Sequence, residues 1–420
     1  MRVHLIGCEG AGMKWMADHY RGKGYEVSGS DILLGPSDPG RVKGADLVVY
    51  SAAVPESDPE RMAAKAAGIK QISRAEALAA AAAVIGKCIA VAGTHGKTTT
   101  ACMLGEILRA YDPAVFFGGT YRGERGRANG DMLIAEACEY RRGFLYMSPD
   151  IAVVLNAELD HTDCYSSSAD VVRAFAAFVA RSEDAVIPDA FTGAFVPRSH
   201  AVAVGRTGSY ACIDCVPRGT GSDIALKTPE GVRRFRLGVP GRHNAENAAF
   251  AVAAARIFGA HWQEIAEGLE RFTGVDRRLQ LVGSVRGAAV YSDYAHHPSE
   301  LAASLSAYRD MGYERVLAVF QPHTHERLGA FLDGFAEVLS RCDSVILPVF
   351  RARGTDEGAR SEDLASRITE KGGRSVALGM PEVAAYIKEN APVYGAIAVT
   401  GAGDNERLLP YILDRLPSDG

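Results

Sequence analysis

IAVAGTHGKTTTACMLGEIL, residues Ile89 to Leu108, decides how the chain is read. A short apolar run leads into a tetrad bracketed by Gly93 and Gly96, and the apolar positions that follow recur at helical spacing. That order is strand, loop, helix. Glycine at the bracketing positions lets the backbone approach a polyphosphate closely, and successive N–H groups turn inward beside a helix N-terminus that favours negative charge. The spacing G-T-x-G-K-T-T departs from the strict phosphate-loop pattern, which wants glycine five residues before Gly96, where Val91 stands. In such a loop Lys97 reaches the β- and γ-phosphates and the Thr98 hydroxyl ligates Mg²⁺. ATP is the expected ligand; the alternative is a glycine turn with an exposed lysine.

The chain has 420 residues, 47% of them hydrophobic and 23% charged, a globular composition with length for two to four domains. A formal net charge of -5 and the lack of a long basic stretch give no reason to expect nucleic acid. The opening MRVHLIGCEGAGM breaks into glycines too soon for a signal peptide, and no apolar run approaches a membrane span. A cytoplasmic protein with no membrane partner is expected. Cys8, Cys88, Cys102, Cys138, Cys164, Cys212, Cys215 and Cys342 are scattered, which argues for reduced thiols. Cys212 and Cys215 form a C-x-x-C, but no second pair or nearby histidine completes a zinc site.

Three α/β blocks follow one another. The first, residues 1–87, opens with a strand at Val3 to Ile6, a glycine turn, a helix, and a second strand ending at YEVSGSD. Asp31 lies about 20 residues beyond the glycines, as a ribose-binding acid does in a dinucleotide fold. Gly7, Gly10 and Gly12, however, read G-x-x-G-x-G and not G-x-G-x-x-G. A Rossmann-like domain holding a nucleotide diphosphate is expected, with Ser51 at another strand end and EALAAAAAVIGK as a helix and linker. The second block, 88–276, alternates strands such as MLIAEA and IAVVLN with amphipathic helices, the pattern of a parallel sheet. Its run from Ala185 to Val239 suggests a small antiparallel element, and HNAENAAFAVAAARIFG a helix. The third block, 277–420, gives AAVYSDYAHHP, RVLAVFQPH, DSVILPVF, RSVALG and AIAVTGAGD, apolar strands ending in polar or glycine residues, and so a second Rossmann-like sheet.

Chemistry-bearing residues collect at these strand ends. Glu136 lies near the end of MLIAEA, Asn156 closes VVLN, and Glu158, Asp160 and His161 follow it. An acid and an imidazole near a phosphate loop suit a further magnesium ion. Arg277 and Arg278 fall between the second and third blocks, where a guanidinium can meet developing phosphoryl charge. Asp293, Tyr294, His296 and His297, then His323, His325 and Arg327, suit an anionic or amino-acid substrate.

GTHGKTTT, EACEYRRGFL, NAELDH, PGRHNAEN, GVDRRLQ, SDYAHHP, VFQPHTHER and TGAGD occur in the order found in the Mur ligase family. The chain resembles that family from about residue 3 to residue 405, and VSGSD and RAEALA bring it nearest to the branch acting on UDP-N-acetylmuramate and L-alanine. The resemblance implies a three-domain cytoplasmic ligase of peptidoglycan precursor synthesis, monomer or homodimer, that forms an amide through an acyl phosphate at the expense of ATP with Mg²⁺. It implies a UDP-sugar site with Gly10, Ala11, Gly12 and Met13 at the diphosphate and Asp31 and Ser51 nearby. Gly93, Thr94, Gly96, Lys97, Thr98 and Thr99 would hold MgATP, with Glu136 and His161 on a second Mg²⁺. By the same likeness His243, Asn244 and Asn247 lie on the adenine side, Arg278 meets the γ-phosphate and Asp293 the ATP ribose. His296, His297, His323 and Arg327 would face the amino acid and the reacting carboxylate. Glu9 stands beside the expected diphosphate. Alternatives are a ligase that recycles peptides onto the same sugar, a divergent ligase for another amine, a binding-only homologue, and an NAD-dependent oxidoreductase.

Overall fold

A computed structural model of the chain describes residues 1–160, 164–348 and 358–413. Two compact units divide it: Met1–Asp214 with Asp223–Gly238 and Asn244–Val275, and Cys215–Ser222 with Val239–His243 and Asp276–Gly420.

The first unit begins with β1 (Arg2–Ile6), α1 (Ala11–Gly22), β2 (Glu26–Ser30), β3 (Leu47–Tyr50), α2 (Pro59–Ala66), β4 (Lys70–Ser73) and α3 (Arg74–Ile85). The four strands form a parallel sheet of order β2-β1-β3-β4. The central strand β3 is a continuous apolar run, and β1 is buried from Val3 to Ile6 with His4 as its one polar residue there, as burial on both faces requires. The sequence gives α2 and β4 little periodicity, and neither was expected. The alanine-rich α3 starts at a reciprocal capping box between Ser73 and Glu76, which fixes its first turn.

A larger sheet follows from β5 (Cys88–Ala92), α4 (Lys97–Ile107), β6 (Pro113–Phe116), β7 (Met132–Glu136), β8 (Ile151–Val154), α5 (Ser168–Val179), β9 (Asp184–Pro188) and β10 (Ala201–Val204). Its order is β10-β9-β8-β5-β7-β6, and all five pairings are parallel. Strand β5 is wholly buried at the place where the order reverses, so the loop after it opens into the crevice between β7 and β8. The two sheets of this unit share one apolar core. Trp15 of α1 is buried in that core, and its indole N–H lies 3.0 Å from the carbonyls of both Val115 and Arg127.

The antiparallel element expected between Ala185 and Val239 occupies only the later part of that run. AVIPD and HAVAVG become β9 and β10 of the parallel sheet, whereas β11 (Ala211–Arg218), β12 (Gly221–Thr228) and β13 (Gly231–Leu237) form a separate three-stranded sheet. Neighbouring strands joined by two residues run antiparallel, since a parallel return needs a long crossover. The C-x-x-C lies within β11, where residues three apart point to opposite faces, so Cys212 and Cys215 do not converge on one ion. None of the eight cysteines is joined in a disulfide. The chain continues through α6 (Arg242–Phe258) and α7 (Trp262–Arg271).

The second unit carries β14 (Gln280–Val285), β15 (Ala288–Asp293), α8 (Pro298–Asp310), β16 (Val316–Phe320), α9 (His325–Ala330), α10 (Leu332–Leu339), β17 (Ser344–Pro348), α11 (Ser361–Glu370), β18 (Ser375–Leu378), α12 (Met380–Asn390) and β19 (Ala396–Thr400). The sheet order is β14-β15-β19-β16-β17-β18, parallel except for the β14–β15 hairpin. The five strands read from the sequence are all present; β14, the antiparallel edge, is the addition. Among the described residues no helix is long and apolar enough to cross a membrane.

Candidate active site

The loop between β5 and α4 takes its shape from two left-handed glycines and from β8. Gly93 has φ +147° and Gly96, the N-cap of α4, φ +84°. At Gly96 an added Cβ would lie 2.6 Å from Asn247 Oδ1, so the α6 amide side chain packs directly on the loop. The residues after β8 bind its other side. Asn156 accepts from the His95 N–H at 2.9 Å and returns a bond to the His95 carbonyl at 3.1 Å. Thr94 Oγ1 donates to the Glu158 carbonyl at 3.0 Å and accepts from the Glu158 N–H at 2.9 Å. Thr94 and Thr99 are buried.

Lys97, the first residue of α4, curls back over this loop. Its Nζ lies 2.5 Å from the Gly93 carbonyl, 3.1 Å from the Thr94 carbonyl and 2.9 Å from Glu139 Oε2. Burial works against the ammonium, the Glu139 carboxylate outweighs it, and the lysine pKa is raised. Thr98 Oγ1 donates to Glu136 Oε2 at 2.7 Å, and the Gly118 N–H donates to the same oxygen at 2.9 Å. A hydroxyl and a carboxylate oxygen in contact at the mouth of a phosphate-type loop are the hard donor set that Mg²⁺ takes. His161, expected beside them, lies outside the described residues. Glu139 was legible only as part of EACEYRRGFL; nothing in its spacing marks it as the lysine's partner.

The glycine turn after β1 is held by the end of β2. The Gly7 and Cys8 N–H groups both donate to the Ser30 carbonyl, at 2.8 and 3.0 Å, and Asp31 Oδ2 accepts from the Glu9 N–H at 3.0 Å. Glu9 itself is paired with Lys14 at 2.5 Å, which neutralises the charge on this turn. Beneath it the buried His4 and Glu60 pair at 2.9 Å, and Ser30 Oγ donates to the same Glu60 oxygen at 2.5 Å. Gly10 caps α1, and Ala11 and Gly12 are its first two residues, so their amides face the open end of the helix. The Met13 side chain is buried in the core and its N–H bonds the Gly10 carbonyl at 2.9 Å. Ser51 follows β3, with its N–H on the Ile6 carbonyl at 3.0 Å.

In the second unit Arg278 pairs with Glu300 of α8 at 3.2 Å, and its guanidinium lies 5.4 Å from the Tyr294 ring centre. Asp293, at the end of β15, is buried; burial raises its pKa, against a Ser304 hydrogen bond and the Arg278 charge. His296 donates its backbone N–H to Glu300 at 3.0 Å and lies with its ring 6.4 Å from that of His323. Burial brings the His296 pKa down to about 4, with Glu300 opposing and Arg327 assisting. His243 is likewise brought to about 4 by burial and by Arg278. His297 caps α8 through Ser299 and packs on Phe331. Arg277, Arg278, Asp293, His296, His323 and Arg327 thus belong to one unit; Asn244 and Asn247 lie on the part of α6 in the other.

A phosphate-type loop at the switch point of one parallel sheet, a glycine turn on a second and an arginine–histidine cluster on a third define a multidomain, nucleotide-dependent enzyme. The chain belongs to the Mur ligase family: its first sheet, residues 2–84, matches the Mur ligase family catalytic domain, residues 91–255 the Mur ligase middle domain, and residues 277–403 the Mur ligase glutamate ligase domain. It is 36% identical to the UDP-N-acetylmuramate--L-alanine ligase of Acidobacterium capsulatum over 99% of this chain and 98% of that one. The ligase of the same name from Agathobacter rectalis is 34% identical, with 96% of each chain covered. Among solved structures, UDP-N-acetylmuramate-alanine ligase MurC from Thermotoga maritima superposes with a TM-score of 0.82 at 24% identity, covering 98% of both chains. The MurF ligase of the same organism, in complex with ADP, gives 0.64 at 18% identity and 88% coverage of each.

Proposed function

We propose that the chain joins L-alanine to the lactyl carboxylate of UDP-N-acetylmuramate, cleaving ATP to ADP and phosphate, in the synthesis of peptidoglycan precursors. The near-full-length likeness to ligases of that name carries the reading. Residues 1–87 then hold the UDP-sugar, 88–276 the ATP, and 277–420 the amino acid.

A carboxylate is a poor electrophile, so its oxygen first attacks the γ-phosphorus and ADP leaves. Lys97 and Arg278 spread the charge on the transferring group, and the amides of Gly93 to Thr99 cradle the phosphates. Thr98, Glu136 and His161 would hold Mg²⁺, which supplies charge neutralisation at the phosphates. The amine of alanine then attacks the acyl carbon, and phosphate departs from the tetrahedral adduct. The amine must first lose a proton, to a histidine of the third domain or to the His161 environment, and His296, His297, His323 and Arg327 face the amino acid and the reacting carboxylate. Asp293 serves the ATP ribose, and His243, Asn244 and Asn247 the adenine side. The Gly10–Met13 turn, with Asp31 and Ser51, serves the UDP-sugar.

The test is phosphate release from MgATP with UDP-N-acetylmuramate and a panel of amino acids and short peptides, with product masses checked. Release that needs the sugar nucleotide and is greatest with L-alanine is expected. Release only with a peptide would assign the chain to recycling, and no release with any pair would reject the reading.

A further inference from the structure

A cavity of about 220 Å³ lies wholly within the first unit, walled by Tyr50 at the end of β3, Ala52, Arg74, Phe116, Glu136 and Arg141. The cavity adjoins the glycine turn through Arg74: an added Cβ on Gly12 would come within 2.5 Å of Arg74 Nη1, so this guanidinium touches the first turn of α1. Glu136, the partner of Thr98 beside the phosphate-type loop, lines the same cavity.

Arg74 is oddly placed for a structural residue. It is the first residue of α3, at the helix end where the macrodipole favours anions and disfavours a cation. The one carboxylate in that turn, Glu76, is already committed to Ser73 at 2.7 Å through both N–H and hydroxyl. Arg74 forms no ion pair or hydrogen bond among the described residues, and its guanidinium lies 5.9 Å from the centre of the Phe116 ring. Arg141, which also lines the cavity, is different. It donates to the Ala52 carbonyl at 3.0 Å, tying its wall to the end of β3. Arg141 and Arg142 also hold left-handed φ values of 49° and 56°, a backbone strain of the kind that collects at functional sites.

We propose that Arg74 receives the lactyl carboxylate of the sugar nucleotide and presents it to the phosphate-type loop. The inference rests on the substrate reading above. Its physical ground is that a carboxylate brought towards Glu136 is repelled by it, and an unpaired guanidinium together with the positive end of α3 offsets that repulsion on the approach. Arg74 is thus a substrate-binding residue that acts before ATP is cleaved.

Calorimetric titration of the whole chain with UDP-N-acetylmuramate and, separately, UDP-N-acetylglucosamine, which lacks the lactyl carboxylate, separates this contact from one to the diphosphate. Wild type, Arg74→Ala and Arg74→Lys are compared, with unchanged thermal midpoint and ATP affinity as the folding control. Arg74→Ala is expected to lose at least about tenfold in affinity for the muramyl nucleotide, the value of one charged hydrogen bond, and little for the other. Arg74→Lys should recover part of the loss and serves alone if the alanine variant does not fold. Equal losses for both nucleotides would move the contact to the phosphates and overturn the proposal, as would no loss for either. A wild-type protein that binds neither would reject the substrate reading and this inference with it.

Discussion

The Thr98 hydroxyl donates to Glu136 across 2.7 Å, joining the first turn of α4 to the end of β7. If these oxygens share Mg²⁺, Thr98→Val and Glu136→Gln should each raise the Mg²⁺ concentration needed for half-maximal phosphate release by about tenfold or more, with UDP-sugar affinity unchanged. A lowered melting temperature with an unaltered Mg²⁺ requirement would reduce the contact to a structural one.

Lys97→Ala removes the cation from a buried carboxylate. Breaking such a pair costs about 3–5 kcal/mol, so the variant should melt earlier as well as lose ADP formation. The double variant Lys97→Met with Glu139→Gln should regain much of the stability and none of the activity. Circular dichroism melts beside a coupled ADP assay read both quantities. Collapse of UDP-sugar binding in a folded Lys97→Ala protein would contradict the assignment of the two sites to different domains.

Gly96→Ala places a Cβ at φ +84° and 2.6 Å from Asn247 Oδ1. The backbone term alone is about 1–2 kcal/mol, and the loop must also shift away from α6. Weaker ATP binding is expected, restored in part by Asn247→Ala, which removes the obstructing amide; calorimetry on the single and double variants measures the recovery.

His243 and His296 are buried with pKa values brought down to about 4, from 6.5. Between these values the unfolded chain binds protons that the folded chain refuses. Their contribution to stability is therefore fully present above pH 6.5 and is lost as pH falls towards 4. Melting temperatures measured across that window should fall less steeply for His296→Gln than for wild type; parallel slopes would show that the imidazole does not carry the effect.

Much of this was legible because parallel α/β sheets write themselves as apolar runs ending in polar residues. β5, β7, β8, β15, β16 and β19 are buried on both faces, and their runs leave no other reading. The strands that escaped are edges or near-edges: β4 is a half-exposed KQIS, β6 a four-residue stretch opening on Pro113, and β14 pairs only through its hairpin. The edges β4 and β14 are only partly buried, so their sequences need not be apolar throughout, and β6, though buried, is too short to show a period. At the site, the motif residues of the phosphate-type loop were readable. Glu139 and Arg74 were not, because the significance of each lies in which partner it has or lacks, and sequence spacing does not encode that.

The bond between Lys97 and Glu139 sets the terms on which any anion enters the loop. The lysine charge is already neutralised and already stripped of water, so an arriving phosphate group performs an exchange, taking over a cation that another anion gives up. On the proposed function its gain is the difference between two anions, not the attraction of one. A singly charged visitor would then gain almost nothing at this position, whereas a polyphosphate, reaching the loop amides as well, would displace the carboxylate, and selectivity for chain length would precede any recognition of the base.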